Sequence, residues 1–382
     1  MAGAPPESSG YQQPSTTMPV TTQLEEMRSN NEKLMGEFDG LKTKVDGLMV
    51  ENNSLKEENK QLKAENQQLK KQLVVKESPR PELFKGEVDI KWQEGALIPV
   101  PCANHSAILL EEKVCIGGGH EGTGTPSYRI DVYDLADNSW NSTPITIPYC
   151  NFAMATLNKR LIIAGGQDKR HKVTNMVFSV DGDPKKYTKM ITPRSLATAA
   201  GHQSTLIITG GEGDRRKKIL STELFDSSTG QWYATDHLPL PHCRLQAVIV
   251  NNNLYLLGGT DLSDDYSPTV FTAPLDTLSS HTLKWNSHPD YSICQSAPVS
   301  VQDRLFLVVG GTIDIMDHQY IPTRDIRMFD KVSQNWIFVG YLPTARNAAA
   351  AVFVGDNTII VFGGLNDTND YTSTVWIGSC EP

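Results

Sequence analysis

Two hydrophobic periods divide the chain. Between residues 24 and 73 an apolar residue returns every seven positions, at Leu34, Leu41, Leu48, Leu55, Leu62 and Leu69, with Met27 one heptad earlier. With these at d, the a positions are Leu24, Asn31, Phe38, Val45, Asn52, Asn59, Asn66 and Leu73. Such a sustained 3.5-residue period predicts a long helix with one apolar seam, a coiled coil. Further on, six apolar runs end in paired glycines: VCIGGG to Gly119, LIIAGG to Gly166, LIITGG to Gly211, LYLLGG to Gly259, LFLVVGG to Gly311 and IIVFGG to Gly364. Each reads as a strand that stops where a missing Cβ lets the chain turn close beside its neighbours.

The heptads carry a polar code as well as an apolar one. Asparagine at a pairs with itself across a parallel dimer and fixes alignment at a cost in stability. Glu37, Glu51, Glu58 and Glu65 fall at g, and Lys42, Lys56, Lys63 and Lys70 at the e positions five residues later. In a parallel homodimer each glutamate meets the lysine of the other chain, so the segment 21–76 is read as self-pairing. Gly36, Gly40 and Gly47 lie at outer positions and weaken the first half. A DNA-binding zipper needs a basic helix on the N-terminal side. The residues there, TTMPVTTQLEEM, carry no basic cluster, which leaves a plain dimerisation device. Residues 1–20 are rich in Pro, Ser, Thr and Gln and are expected to form a disordered tail. Pro79 and Pro81 end the helix and begin a linker over 77–88.

The second glycines follow one another at intervals of 47, 45, 48, 52 and 53 residues. A second landmark keeps the same step: Tyr133, Phe225 and Phe329 each precede a tryptophan (Trp140, Trp232, Trp336) by seven residues. A period near 50 with these landmarks resembles the kelch repeat, over roughly residues 90–380. The resemblance implies an all-β six-bladed kelch β-propeller spanning 89–382, preceded by the long parallel coiled coil. Fourth strands then carry Trp140, Tyr187, Trp232, Trp285 and Trp336. Repeats 2 and 4 depart from the pattern, since Tyr187 replaces tryptophan and no aromatic stands seven residues before Trp285. Trp92 lies 48 residues ahead of Trp140 with no diglycine before it, while the last repeat lacks a fourth strand after Trp376. The N-terminal strand around Trp92 is therefore expected to complete the last sheet, leaving no unpaired edge at the seam.

In kelch proteins the loops leading into first strands share a face with the loops after the diglycines, and the resemblance places partners there. Three residues before an alanine of each first strand stand Asn104, Cys150, Arg194, Arg244, Cys294 and Arg346. If the repeats superpose, these residues ring the channel mouth. Arginine there suits a partner carboxylate or phosphate, because its planar fork binds both oxygens. The alternative is that the arginines tie neighbouring sheets together. Lys169, Arg170, His171 and Lys172 follow the second diglycine, and Arg215, Arg216, Lys217 and Lys218 the third. Asp261, Asp264 and Asp265 follow the fourth, Asp314 and Asp317 the fifth, Asp367 and Asp370 the sixth. One side of the face is thus expected to be basic and the other acidic, unless these are only solvated loop tips.

Composition narrows the function classes. With 44 acidic against 35 basic residues the net charge is −9, which gives no long-range attraction to nucleic acid or anionic membrane. Neither a secretory signal nor a membrane span is present, so a cytoplasmic protein with reduced thiols is expected. The six cysteines show no metal-like spacing. No matched histidine and tyrosine set for a copper oxidase, GxSxG, phosphate loop or HExxH occurs, so neither catalysis nor a cofactor is expected. The reading is a non-catalytic, dimeric interaction scaffold. Resemblance puts its partners among cytoskeletal filaments such as actin, or substrates of ubiquitination, although the BTB-type domain of many kelch adaptors is missing from this sequence. Two alternatives stand beside it: a kelch enzyme, and a thiol-based stress sensor in which Arg244 activates the adjacent Cys243.

Overall fold

A computed structural model of the chain describes residues 19–73, 90–267, 269–288, 293–301, 305–314, 320–330 and 335–380. The linker 77–88 and all but the last two residues of the tail 1–20 lie outside these. The chain separates into two compact units, residues 1–79 and 80–382. The first contains one α-helix, Val20–Leu73, of 54 residues. Its heptad residues Leu24, Met27, Leu34, Phe38, Leu41, Val45, Leu48 and Leu55 are each more than half exposed. Asn52 is also exposed. The helical backbone extends through Asn59, Leu62, Asn66 and Leu69, whose side chains lie outside the description. Among the described residues no helix is long and apolar enough to cross a membrane.

The second unit is built from antiparallel sheets, a main one in each repeat and a small three-stranded one, Cys102–Ala103, His120–Glu121 and Thr125–Pro126, beside the first. Repeats 2, 3 and 4 each give a four-stranded meander: 153–189, 198–235 and 246–288. In repeat 1 the outer edge is split between Ser139–Trp140 and Ile145–Thr146. Repeat 5 has the longest hairpin, Tyr320–Asp330 against Asn335–Arg346. The sixth sheet joins Ala350–Val354, Thr358–Phe362 and Val375–Cys380 to Ile90–Glu94, which pairs in the register Ile90↔Cys380 to Glu94↔Trp376. The two ends of the unit therefore share one sheet.

The seven-residue spacing acquires a physical meaning here. Tyr133 and Trp140 face each other across the outer hairpin, as do Phe225 with Trp232 and Phe329 with Trp336. Their ring centroids lie 5.0, 5.2 and 5.2 Å apart, a tilted packing favoured by aromatic quadrupoles. Repeat 2 manages without the pair, because Tyr187 packs edge-on to Phe225 of the next repeat at 5.4 Å. In repeat 4 a short 3-10 turn, Leu278–Ser280, intervenes, and Trp285 comes just before the outer strand Asn286–His288.

The apolar cores lie between sheets. Cys115, Ile130 and Val132 of repeat 1 pack with Leu161, Ile163 and Phe178 of repeat 2. Ile162, Val177 and Ala164 of repeat 2 pack with Leu206, Ile208 and Phe225 of repeat 3. The pattern continues to Val352, Ile360 and Phe362 of repeat 6, which meet Val114, Ile116 and Tyr133 of repeat 1. Because each sheet shows one face to the repeat before and the other to the repeat after, its inner strands are buried on both faces, and their sequences read as unbroken apolar runs.

Candidate functional site

The diglycines join neighbouring repeats. The second glycine donates its N–H to a carbonyl in the following repeat: Gly166 to Arg194 (2.8 Å), Gly211 to His242 (2.9 Å), Gly311 to Arg346 (2.7 Å) and Gly364 to Cys102 (2.8 Å). The first glycine leaves room for that carbonyl. A Cβ at Gly165 would stand 2.2 Å from the Arg194 oxygen, and one at Gly363 2.6 Å from the Cys102 oxygen. Both glycines also have positive φ, so the position excludes other residues twice over.

This junction sets a ring of loops leading into the first strands. Asn104, Asn151, Leu196, Arg244, Gln295 and Ala348 stand two residues before their strands, all in the left-handed region with φ between 50 and 60°. Their backbones link around the axis. Asn104 N–H donates to Ala348 O (2.8 Å), Ala348 to Gln295 (2.9 Å), Arg244 to Leu196 (2.8 Å) and Leu196 to Asn151 (2.8 Å). A left-handed non-glycine residue costs on the order of 1 kcal/mol or more, and these neighbour-to-neighbour bonds hold it there. A cavity of about 120 Å³ opens beneath, lined by Asn104, Asn151 and Arg244 at its mouth and by Ala107, Ala153 and Ala247 below.

The ring differs from the one expected on Asn104, Cys150, Arg194, Arg244, Cys294 and Arg346. Of those, only Asn104 and Arg244 occupy it. Cys150 and Cys294 lie one residue earlier, and Arg194 and Arg346 two residues earlier. Counting back from alanine misaligns the repeats, because the alanine is first in the strand at Ala153, second at Ala247 and just before it at Ala197. Arg194 has 0% exposed surface. Its guanidinium donates to Gly210 O, Ser221 O, Ser221 Oγ and Glu223 Oε1, the last at 2.5 Å. Glu223 also accepts the N–H groups of Ile191 and Thr192. Arg346 is likewise buried, and one of its terminal nitrogens donates to the neighbouring Ala345 O. Burial lowers the pKa of both arginines. Arg194 is thus tied into its own repeat, and neither buried side chain stands on the ring.

Arg244 is different. It is partly exposed, has no carboxylate within ion-pair distance among the described residues, and helps to hold the neighbouring His120 below its ordinary pKa, behind burial as the main cause. Its effect on Cys243 is small. That thiol is buried, its Sγ lying 3.2 Å from Thr260 Oγ1 and 3.5 Å from Glu212 Oε1, and burial pushes its pKa up. Activation of Cys243 by Arg244 therefore fails on burial.

The charged loops are shaped by side chain to backbone bonds. Asp168 Oδ1 accepts the N–H groups of Arg170 and Lys172, Asp261 Oδ1 those of Ser263 and Asp265, and Asn366 Oδ1 those of Thr368 and Asp370. Gly213 takes the equivalent place in repeat 3, where Arg215 has positive φ as well as Arg216, the counterpart of His171, Asp264 and Asn369. Lys169, Arg170, His171, Lys172, Arg215, Arg216 and Lys217 are exposed. Lys218 is withdrawn from the basic side. Its buried side chain crosses to the acidic loop of repeat 4 and binds Asp264 Oδ1 at 2.5 Å and the Asp261 carbonyl. Among the described residues no three His, Cys, Asp or Glu side chains are placed to hold a metal ion.

Repeated four-stranded meanders joined by diglycines define a β-propeller-like kelch domain. Residues 151–364 match the KLHDC2/KLHL20/DRC7 Kelch-repeats domain, and the chain belongs to the kelch-repeat family. It is 25% identical over 224 residues to Acyl-CoA-binding domain-containing protein 4 of Arabidopsis thaliana, covering 55% of this chain and 31% of that protein. It is 23% identical over 258 residues to human Kelch-like protein 15, covering 62% and 42%. Alpha-scruin of Limulus polyphemus is 20% identical over 255 residues, covering 63% and 28%. The match thus spans well under half the length of these relatives. Among solved structures, that of YjhT superposes with a TM-score of 0.60 at 15% identity, over 73% of this chain and 95% of that one.

Proposed function

We propose that the protein is a non-catalytic, cytoplasmic interaction scaffold: a parallel coiled-coil homodimer over 21–76 carrying two six-bladed kelch propellers. The observation that carries the reading is the apolar stripe of the helix, from Leu24 to Leu55, more than half exposed along its described length. A contiguous stripe of this kind is covered in water by an interaction partner. The glutamates at g and lysines at e select a second copy of the same segment. Each rim pair contributes only ~0.5 kcal/mol, so the leucines supply the affinity and the charges the partner choice.

The propeller supplies the second binding function through Asn104 and Arg244 at the channel mouth and Lys169, Arg170, Arg215 and Arg216 around it. Arg194 and Arg346 are left out, since both side chains are buried. By kelch resemblance the partner is a protein, with filaments such as actin the first to try, because two propellers on one dimer bind a repeating surface with avidity. The test is co-sedimentation of the full chain with filamentous actin, comparing wild type with Leu55→Pro, which removes a helical hydrogen bond within the zipper. Sedimentation of the wild type with at least about tenfold weaker retention of the monomeric variant supports bivalent binding. Equal retention of the two sinks the bivalent reading, and no retention of either removes actin.

A further inference from the structure

Beside the charged loop of repeat 2 lies a cleft of about 470 Å³, lined by Tyr128, Thr146, Ile147, Pro148, Asp168, Lys169 and Arg170. Its parts have distinct chemistry. Tyr128 is partly buried, with its hydroxyl turned toward Cys150. Pro148 and Thr146 are exposed beside it, and the backbone N–H of Ile147 is pinned to Tyr128 O at 2.8 Å. Lys169 Nζ stands 5.9 Å from the Tyr128 ring centroid, and Arg170 lies next to it in a loop held by Asp168. That carboxylate is occupied by two backbone N–H groups. Neither Lys169 nor Arg170 has an ion-pair partner among the described residues. The arrangement is an aromatic and proline floor under two cations without a close ion pair, in a cleft whose one carboxylate, Asp168, is turned to its own loop backbone.

We infer that this cleft docks an acidic peptide segment of a partner protein, which seats one aromatic or aliphatic side chain against Tyr128 and Pro148 and sets its carboxylates on Lys169 and Arg170. The volume falls within the roughly 300–1,000 Å³ usual for ligand pockets and accommodates one large side chain with its flanking backbone. Charge complementarity selects an acidic segment, and desolvation beneath the apolar anchor strengthens each ion pair. A nucleic acid is disfavoured, since a long polyanion meets the whole chain's charge of −9 whereas a short segment meets only the local cations. The contrast with repeat 3 is informative: Arg216 there lies 3.8 Å from Glu212, and Lys218 is bound to Asp264. The inference rests on the reading of this face as partner-binding and adds the chemistry of the partner.

The test is a fluorescence anisotropy titration of the full chain with three labelled peptides: an acidic one with a central phenylalanine, its alanine version, and its version with lysine for every glutamate. The phenylalanine peptide is expected to bind, the alanine version about tenfold more weakly, and the lysine version not at all. Arg170→Glu and Tyr128→Ala should each weaken binding about tenfold, and Tyr128→Phe should leave it within about twofold, because the hydroxyl faces inward. Lys186→Glu, on the exposed outer strand of repeat 2, should also leave it within about twofold. Equal losses at Arg170 and Lys186 indicate a diffuse field and overturn the inference, as does indifference to Tyr128→Ala or a peptide that does not bind. Capture of a protein partner that depends on Arg244, without any effect of Tyr128 or Arg170, leaves the scaffold reading standing and removes this cleft from it.

Discussion

Trp92 Nε1 donates a 2.9 Å hydrogen bond to the carbonyl of Tyr341, a residue 249 positions further along the chain. The same interlock recurs at short range. Trp140 Nε1 reaches Ala96 O, Trp232 Nε1 reaches Thr188 Oγ1, and Trp285 Nε1 reaches Asp236 O. Each tryptophan clips the outer edge of its repeat to an outer strand of the preceding repeat or to the residues just past it. At Trp92 that clip joins the beginning of the domain to its fifth repeat, so the recurring tryptophan is a junction between sheets as well as a core residue.

The seam at Trp92 is open to test. Its ring also covers Gly378, where an added Cβ would stand 2.6 Å from Trp92 Cζ3. Trp92→Ala is expected to destabilise the domain by about 2–3 kcal/mol, below the full range for a wholly buried tryptophan because the residue is only partly buried. Removing residues 1–95 should cost far more than removing 1–76, since it also exposes the edge of Val375–Cys380. Thermal melts of the three variants check this, and equal melting of both truncations contradicts it.

Arg194→Met should cost about 3–5 kcal/mol in urea unfolding, because it leaves the Glu223 carboxylate buried without its cation. Arg194→Met combined with Glu223→Met should recover much of that loss. Arg244→Ala should change stability by less than about 0.5 kcal/mol while speeding partner dissociation. The opposite pattern, with Arg244 structural and Arg194 silent, would show that the ring has been placed on the wrong residues.

His105 supplies a pH dependence. It is fully buried at the seam between repeats 6 and 1, and burial pushes its pKa down to about 4. The unfolded chain titrates near 6.5. Between these values the unfolded state takes up a proton that the folded state refuses, so stability is complete above pH ~6.5 and declines as pH falls toward 4. The decline should total up to ~3 kcal/mol at ~1.4 kcal/mol per pH unit. Urea unfolding of wild type and His105→Gln over pH 4–7 reads the difference, and parallel profiles would remove His105 as its source.

The helix holds three glycines, Gly36, Gly40 and Gly47, with open space where a Cβ would stand. Changing all three to alanine should stabilise the helix by about 2–3 kcal/mol, at ~1 kcal/mol each. Circular dichroism melts of the 21–76 segment measure the gain. A loss would mean that these positions are covered in the dimer.

How much of this was legible in the sequence depends on the range of each interaction. The helix and its heptads are a local matter, since a period of seven in the side chains is a period in space once the backbone is helical. The strands could also be read, because unbroken apolar runs ending in diglycine belong to sheets buried on both faces. The family's repeat length followed from spacing alone. The ring around the axis did not follow from residue type: Asn, Asn, Leu, Arg, Gln and Ala share only a left-handed backbone. Its signal lay in distance, since these residues precede the second glycine by 15, 15, 15, 15, 16 and 16 positions, whereas the alanines drift between repeats. Nor could the sequence say which cation is free. Arg194 and Arg244 look alike in one dimension, yet Glu223 is ion-paired with one and, among the described residues, no carboxylate is ion-paired with the other, because strands far apart in sequence are brought together only when successive sheets pack. Backbone period is written locally; electrostatic pairing and burial are decided by which distant side chains the tertiary fold puts within a few ångströms.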